Sequence, residues 1–555
     1  MNLSRIKRWI LLGHRWLGIG TCLLFFLWFL SGVVMMYVGH PKLTWQERLE
    51  HLPPLEASQP LLSPAEAFRQ AGIHGTVTDL RLGNARAGQP VYIAQVRPDT
   101  KPAPDAPRPD PCLVTLDART GPLLSPPDPA TALASAQVYL EQGSPSHPSS
   151  SSALPATSPR LPSATTAPAS PGVPLYQGIT VEDAHTHSKA MDLHRPLHKV
   201  LLPDADRTLL YISGTTGEVV RDAPRLERGF NYLGAWLHWL YLFRDTAIDW
   251  TDLIIWLSVI GTVATLSGFL SGIIRWRFSR PYRSGSRSPF APGALRWHHI
   301  LGLVFALTTF TWIFSGLMSM NPWDIFEADE SIIDARRISN PDIQPSRAIA
   351  TPQALLASTT TPVRELQWHT LLDKARVKAI RTHDVPPGSA DQPILLSAST
   401  GKPYTLEPER LRSALFTLQA GYPPRIDILQ QDDFYYYRRA SHTMTGGRRE
   451  HPLPIWRVRY NDPQQTWLHI DPATGTVLGQ SDSRARLERW LFALLHSWDL
   501  LPLLQHRPLW DILMLVLGMG GLLLSGTGIW VGVHRSHLKW RSWRVKRART
   551  LRDGT

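Results

Sequence analysis

HRWLGIGTCLLFFLWFLSGVVMM (residues 14–36) and HHILGLVFALTTFTWIFSGLMSM (residues 298–320) align without a gap. His14 falls on His298, Gly18 on Gly302, Trp28 on Trp312, Ser31-Gly32 on Ser315-Gly316 and Met36 on Met320. The uncharged runs they carry, Leu17–Val38 and Ile300–Met320, are long enough to cross a hydrocarbon core of about 30 Å at about 1.5 Å per residue. Two further runs, Leu253–Ile274 and Ile512–Val533, are equally long and uncharged. The chain therefore reads as a four-span α-helical membrane protein with large polar insertions, and a wholly soluble enzyme is excluded. Of its two cysteines, Cys22 lies inside the first span and Cys112 in a polar insertion, so no disulfide is expected.

Lys and Arg concentrate on the cytoplasmic side of membrane proteins. Arg5, Lys7, Arg8 and Arg15 precede the first span, the loop 275–299 holds Arg275, Arg277, Arg280, Arg283, Arg287 and Arg296, and the tail from 534 holds eight Lys and Arg against Asp553 alone. These margins account for the whole formal net charge of +13. The basic balance thus reports orientation, not a nucleic-acid patch. Both termini are expected in the cytoplasm and the insertions 39–252 and 321–511 outside, the periplasm in a bacterial inner membrane. The first segment has the basic start of a signal peptide, but its apolar run is too long and lacks a small-residue cleavage site, so it reads as an uncleaved span.

Spans two and four carry a looser match: Leu226-Glu-Arg, His238, Trp250 and Ser267-Gly268 answer Leu487-Glu-Arg, His496, Trp510 and Ser525-Gly526. Both copies run in the same sense, which predicts two parallel repeats about a pseudo-two-fold axis along the membrane normal. The insertions repeat a signature of their own, an apolar run and then a Thr-Gly turn, at Thr120-Gly121, Thr216-Gly217, Thr400-Gly401 and Thr474-Gly475. Four small α+β modules are the expectation. The stretch 143–172, almost entirely Ser, Pro, Ala and Thr, reads as a disordered linker.

Ionisable groups at span ends are costly and tend to be functional. His14 and His298 end spans one and three on the cytoplasmic side. His238 and His496 lie on apolar, aromatic segments just before spans two and four, expected to be interfacial helices. Two repeat-related pairs, one at each face, suit two six-coordinate b-type haems. No Cys-x-x-Cys-His is present for a covalently attached haem. Zinc fits less well, since neither pair has a carboxylate or thiolate beside it. The repeat selects His298 over His299 because Arg15 occupies the position matching His299, and His534 is the reserve inner ligand. Gly32, Gly316, Gly268 and Gly526 sit at depths where a missing side chain would admit a macrocycle, although small residues also serve plain helix packing. Arg15, Arg275 and Arg296 are candidates for haem propionates. Met36 and Met320 read as packing residues. The cluster His185, His187, His194 and His198 has the composition of a metal site but reads as solvated loop. Tyr435, Tyr436, Tyr437, Arg438 and Arg439 offer a surface for an iron chelate, or the alternation of a half-buried strand.

His14-Arg-Trp-Leu-Gly18, Leu237-His238-Trp-Leu, Trp297-His298-His-Ile-Leu-Gly302, Leu495-His496-Ser-Trp and the Thr-Gly turns together resemble the PepSY-associated transmembrane family, and within it the iron-regulated inner-membrane ferric-siderophore reductases. The resemblance implies two b haems among four spans, with His14 and His298 as inner ligands and His238 and His496 as outer ones. It also implies electrons passed from the cytoplasmic face to a ferric chelate, a ferric siderophore, outside. The layout expected is 1–38 start and first span, 39–225 periplasmic PepSY-like domain, 226–278 interfacial helix and second span, and 279–299 cytoplasmic loop. Then follow 300–320 third span, 321–483 second PepSY-like domain, 484–533 interfacial helix and fourth span, and 534–555 basic tail. With no Gly-x-Gly-x-x-Gly unit and only short cytoplasmic pieces, the electron donor must be a separate cytoplasmic protein or a membrane quinol. The competing expectation is a haem-free membrane protein whose outer modules bind a peptide or partner.

Overall fold

The structure is a computed structural model that describes residues 3–73, 76–97, 111–143, 172–244, 246, 248–327, 331–381, 394–437, 452–506 and 508–553. The linker expected at 143–172 falls almost wholly outside the described residues, as do Arg438 and Arg439. Four helices are long and apolar enough to cross a membrane: α1 (Leu3–Met35), α2 (Trp250–Arg275), α3 (Ala294–Met318) and α4 (Leu509–Asp553). They pack as a ring in which α1 and α3 each touch α2 and α4. Helix α1 starts well before its apolar run, and α4 continues into the basic tail, so the 534–555 segment is largely helix. There Lys539 lies 4.2 Å from the centre of the Trp16 ring, holding the two helix ends side by side.

The insertions form three antiparallel sheets. Strands β1 (Thr76–Arg86), β2 (Gln89–Arg97) and β3 (Cys112–Asp117) come from the first, and β8 (Ser339–Asn340), β9 (Val363–Leu371), β10 (Lys374–Arg381) and β11 (Ile394–Ser397) from the second. They make one seven-stranded sheet in the order β11-β10-β9-β1-β2-β3, with β8 paired to β9. Its join is β1 to β9, from Leu80 opposite Trp368 to Gly83 opposite Glu365. The expected division into separate outer domains and four modules is therefore crossed by a shared sheet. The other two sheets are β4 to β7 (Leu175–Thr180, Leu197–Leu201, Leu209–Ser213, Val219–Ala223) and β12 to β15 (Arg425–Leu429, Ile455–Arg459, Trp467–Ile470, Val477–Ser481).

Strand alternation gives the central sheet two unlike faces. Leu80, Leu82, Tyr92, Ala94, Leu366 and Trp368 bury one face in the main core beneath Phe68 and Leu355. Arg81, Glu365 and His369 lie on the other. There Arg81 donates to Glu218 at 2.5 and 2.8 Å, and Arg48 donates to Glu365 at 2.7 and 3.0 Å. Arg81 also stands 3.6 Å from Glu365, so one chain of buried charges ties the β4–β7 sheet to both halves of the central sheet.

All four Thr-Gly turns share one geometry. The amides of Gly121, Gly217, Gly401 and Gly475 donate to the carbonyls of Asp117, Ser213, Ser397 and Asp471 at 2.8–2.9 Å, with each glycine at φ between +70° and +89°. The side chains of those Asp and Ser residues accept from amides inside the turn, which is why a short polar residue stands at that position.

Candidate functional site

The histidine-bearing segments are built alike. A helix, Arg225–Asn231 or Ser483–Arg489, widens into a five-residue π turn, Tyr232–Trp236 or Trp490–Leu494. It resumes α geometry through His238 or His496 and stops at a left-handed residue, Leu240 (φ 52°) or Trp498 (φ 51°). A π turn slips the hydrogen-bond register by one residue and is frequent at functional sites. Here the first segment packs on α1, with Gly234 against Val34 and Met35, and the second on α3; Ala235 and Ala493 are both buried. Each turn is fastened from the following span: Trp250 donates to the carbonyl of Trp239 at 2.7 Å, and Trp510 to that of Ser497 at 3.0 Å. Trp28 donates to the His238 carbonyl at 2.9 Å.

These constraints bring the histidines together as two pairs. The His14 and His298 rings lie 6.4 Å apart, centre to centre, and the His238 and His496 rings 6.3 Å apart. Two imidazoles bound on opposite sides of one metal ion, at about 2.0–2.1 Å and with the ring centre about 1.1 Å beyond the nitrogen, stand about 6.3 Å apart. In all four rings Nδ1 is the nitrogen that meets a protein group. Ser31 Oγ is 3.0 Å from His238 Nδ1 and Ser315 Oγ 3.0 Å from His496 Nδ1. The carbonyl of Ala264 is 3.3 Å from His14 Nδ1 and that of Leu524 3.2 Å from His298 Nδ1. In metal-bound histidines a contact of this kind at one nitrogen sets the tautomer and orients the ring, with the other nitrogen left for the metal. The four imidazoles thus form two pairs whose centre-to-centre distances are compatible with two ligands of one metal ion in each.

A cavity of about 220 Å³ opens beside His14 and His298, lined also by Gly18, Gly268, Gly302 and Gly528. A Cβ on Gly268 would stand 2.8 Å from His14 Cε1, and one on Gly528 3.4 Å from His298 Cε1. Gly32 lies beside His238, where a Cβ would be 3.7 Å from Cε1. A Cβ on Gly316 would meet nothing within 4 Å, and Gly526 faces Phe26 instead of a histidine. Gly528 is the residue of α4 that corresponds to Gly268, two positions beyond the Ser-Gly match. Arg15 and Arg275 line the cavity together with Arg535, which the sequence reading passed over, whereas Arg296 is not among its walls. His299 is buried with Nδ1 on Ser288 at 2.8 Å and Nε2 on the Gly272 carbonyl at 3.0 Å, so both its nitrogens are engaged. His534 is exposed and does not line the cavity. Between the two pairs lies a packed layer of Phe25, Trp28, Phe29 and Trp312.

The remaining candidates are dispersed. His185 meets Asn231, His187 meets Glu182, His194 meets Ser213, and His198 meets Tyr176 and the Pro127 carbonyl. Among the described residues no three His, Cys, Asp or Glu are placed to hold a metal ion. Met36 packs against Trp510 and Met514, and Met320 against the cluster around Leu317. The 434–437 segment is a turn-rich loop, not a strand, because Asp433 accepts from the amides of Tyr435 and Tyr436 at 2.9 Å and curls the chain. Tyr436 and Tyr437 are buried, bonded to the Pro452 carbonyl and to Asp499.

A family model for the PepSY-associated TM region matches residues 11–389, well over half of the chain. The matched stretch contains His14, His238 and His298 and ends before His496. No curated protein matches the chain.

Proposed function

The chain belongs to the PepSY-associated TM family, and from that premise we propose that it is a haem b-dependent oxidoreductase of the bacterial inner membrane. In this reading a two-haem conduit reduces a ferric chelate, of the ferric-siderophore class, on the periplasmic side. The observation that carries the reading is the ring spacing of 6.4 and 6.3 Å in two separate pairs. His14 and His298 would hold the inner haem, and His238 and His496 the outer one. Haem held there would supply one-electron redox chemistry.

The chain's own residues do the rest. Ser31, Ser315 and the Ala264 and Leu524 carbonyls orient the rings. Phe25, Trp28, Phe29 and Trp312 keep water out of the layer between the pairs. Arg15, Arg275 and Arg535, which line the cavity, would pair with the propionates of an inner haem. The Arg and Lys at the His14 end support placing both termini in the cytoplasm, and the matched span sequences support two parallel repeats about an axis along the membrane normal. The electrons come from a separate cytoplasmic protein or a quinol. Reduction weakens the grip of an oxygen-donor chelate on its iron, so the ferrous ion leaves.

A dithionite-reduced minus oxidised visible spectrum of the detergent-purified chain, with a pyridine haemochrome assay, tests this. Sharp b-type bands at about two haems per chain are expected. A featureless spectrum from folded protein made with ample haem overturns the proposal in favour of a haem-free binding protein.

Two variants probe the site more finely. Ser315→Ala removes the partner of His496 Nδ1, and the outer haem is expected to bind about 10–100-fold more weakly, read as faster transfer to apomyoglobin. Gly268→Leu pushes a side chain into the space beside His14 and is expected to cost the inner haem selectively. Retention of both haems in that variant would show that the cavity is not the binding site.

A further inference from the structure

The helix that leads to His496 carries, on its way, a corner unlike the rest of the surface. Arg486 and Arg489 sit on Ser483–Arg489, and Trp490 begins the π turn. Trp490 is 47% exposed, and its indole N–H donates to Tyr435 Oη at 2.8 Å. The ring of Phe434 lies 4.6 Å from Trp490, and that of Tyr435 5.1 Å from Trp467. The Arg486 guanidinium stands over Trp467 at 4.2 Å, and that of Arg489 over Phe434 at 4.8 Å.

Charge sorts these cations into two sets. Arg457 and Arg459, which also face Trp467, are neutralised by Asp433 at 2.5 Å and Asp427 at 2.6 Å. Arg486 and Arg489 bond instead to backbone carbonyls, of Ser481, Gln465 and Phe434, and neither meets a carboxylate at ion-pair distance among the described residues. Arg489 Nη2 is buried without a hydrogen-bond partner among the described residues. Two half-buried guanidiniums held on carbonyl oxygens instead of in ion pairs, with Asp482 and Asp462 acting on Arg486 only from beyond ion-pair distance, and set beside half-buried aromatic rings and the exposed Trp490, match a ligand that is both anionic and aromatic. Trp490 lies six residues before His496, and Arg489 and Arg486 seven and ten. At about 1.5 Å of rise per residue that is roughly 9–15 Å along the helix.

We propose that this corner is where the ferric chelate docks, and that it favours net-negative chelates with aryl rings, catecholates over hydroxamates. The inference rests on the conduit reading above. The step it serves moves one electron from the reduced outer haem to the chelated iron. Ferric becomes ferrous at the chelate while ferrous becomes ferric at the haem, and no bond to the protein forms. The cytoplasmic or quinol donor restores the electron. The docking surface thus shares only Tyr435 with the 435–439 stretch singled out in the sequence.

The test is anaerobic reoxidation of the dithionite-reduced, haem-loaded full chain, followed at the haem absorption band. The oxidants are a net-negative ferric tris-catecholate and a neutral ferric trihydroxamate. Arg486→Gln/Arg489→Gln is expected to keep both haems and their spectra while slowing reoxidation by the catecholate about tenfold, with the hydroxamate rate unchanged. Raising ionic strength should slow only the catecholate reaction of the unmodified chain. Arg486→Lys, which keeps the charge, should recover part of the rate, and Trp467→Leu should lose it. A wild-type catecholate rate in the double variant overturns the docking proposal. So does equal slowing with both chelates, which would mean that the arginines only hold the helix of His496. Absence of haem from the unmodified chain would instead strike the conduit itself.

Discussion

Replacing His238 by alanine is expected to lower bound haem from about two per chain to about one and to reduce ferric-chelate turnover to background. On the two-haem proposal His496→Ala should do the same, because it removes one imidazole of the 6.3 Å pair, the one that Ser315 orients. His14→Ala is expected to remove the other haem. In that variant dithionite still reduces the remaining centre from outside, while a donor at the opposite face no longer can. The pyridine haemochrome ratio reads the first outcome, and the choice of reductant reads the second. His299→Ala is the control: with both ring nitrogens already bonded to Ser288 and Gly272, its loss costs packing and leaves two haems. Unchanged haem content in His238→Ala would return all four histidines to a packing role.

Arg81→Met should be the most damaging single change outside the bundle, at about 3–5 kcal/mol, since it leaves two buried carboxylates facing a lost cation. Burial alone would raise the pKa of Glu218, yet Arg81 overrides it and holds the group down at about 2. The native ion pair therefore contributes stability above the ordinary glutamate range that is lost as pH falls through that depressed value. Without Arg81 the sign reverses. Burial then dominates, the folded form prefers protonated Glu218, and stability falls as pH rises. Thermal melts of the sheets followed by limited proteolysis should show the native chain losing this contribution only below the ordinary glutamate range, toward about pH 2, and the variant less stable at neutral than at mildly acidic pH. Adding Glu218→Gln should restore part of the loss. Equal melting of native and variant chains would show that the charge chain does not hold the sheets together.

The spans were legible because a long uncharged run has few stable solutions other than crossing a bilayer, and the pairing of His14 with His298 followed from the match of their surroundings. The outer modules were legible at their turns, where a glycine with positive φ and a capping Asp or Ser leave a sequence mark. What lay between was not. A π turn has no compositional signature, so Tyr232–Trp236 and Trp490–Leu494 read as ordinary amphipathic helix. The Ser-Gly pairs drew notice for their glycines, while in spans one and three it is the serine that touches a histidine. The two-residue offset between Gly526 and Gly528 was hidden because glycine recurs at nearby positions along α4. Nothing in β1 names β9 as its partner: alternating apolar strands pair with any neighbour of matching pattern, and the choice is made by the tertiary fold.

That pairing also dictates an order of events during synthesis. β1 and β9 lie on opposite sides of α2 and α3 in the chain. At translation rates of about 5–20 residues per second, the β1–β3 piece waits on the order of tens of seconds for its partner to be made. Throughout that interval it presents an unpaired strand edge and half of an apolar core, the combination that templates aggregation. Newly made chains therefore need shielding at that edge until β9 has been synthesised. A chain interrupted after α2 would be left with the β1 edge still open.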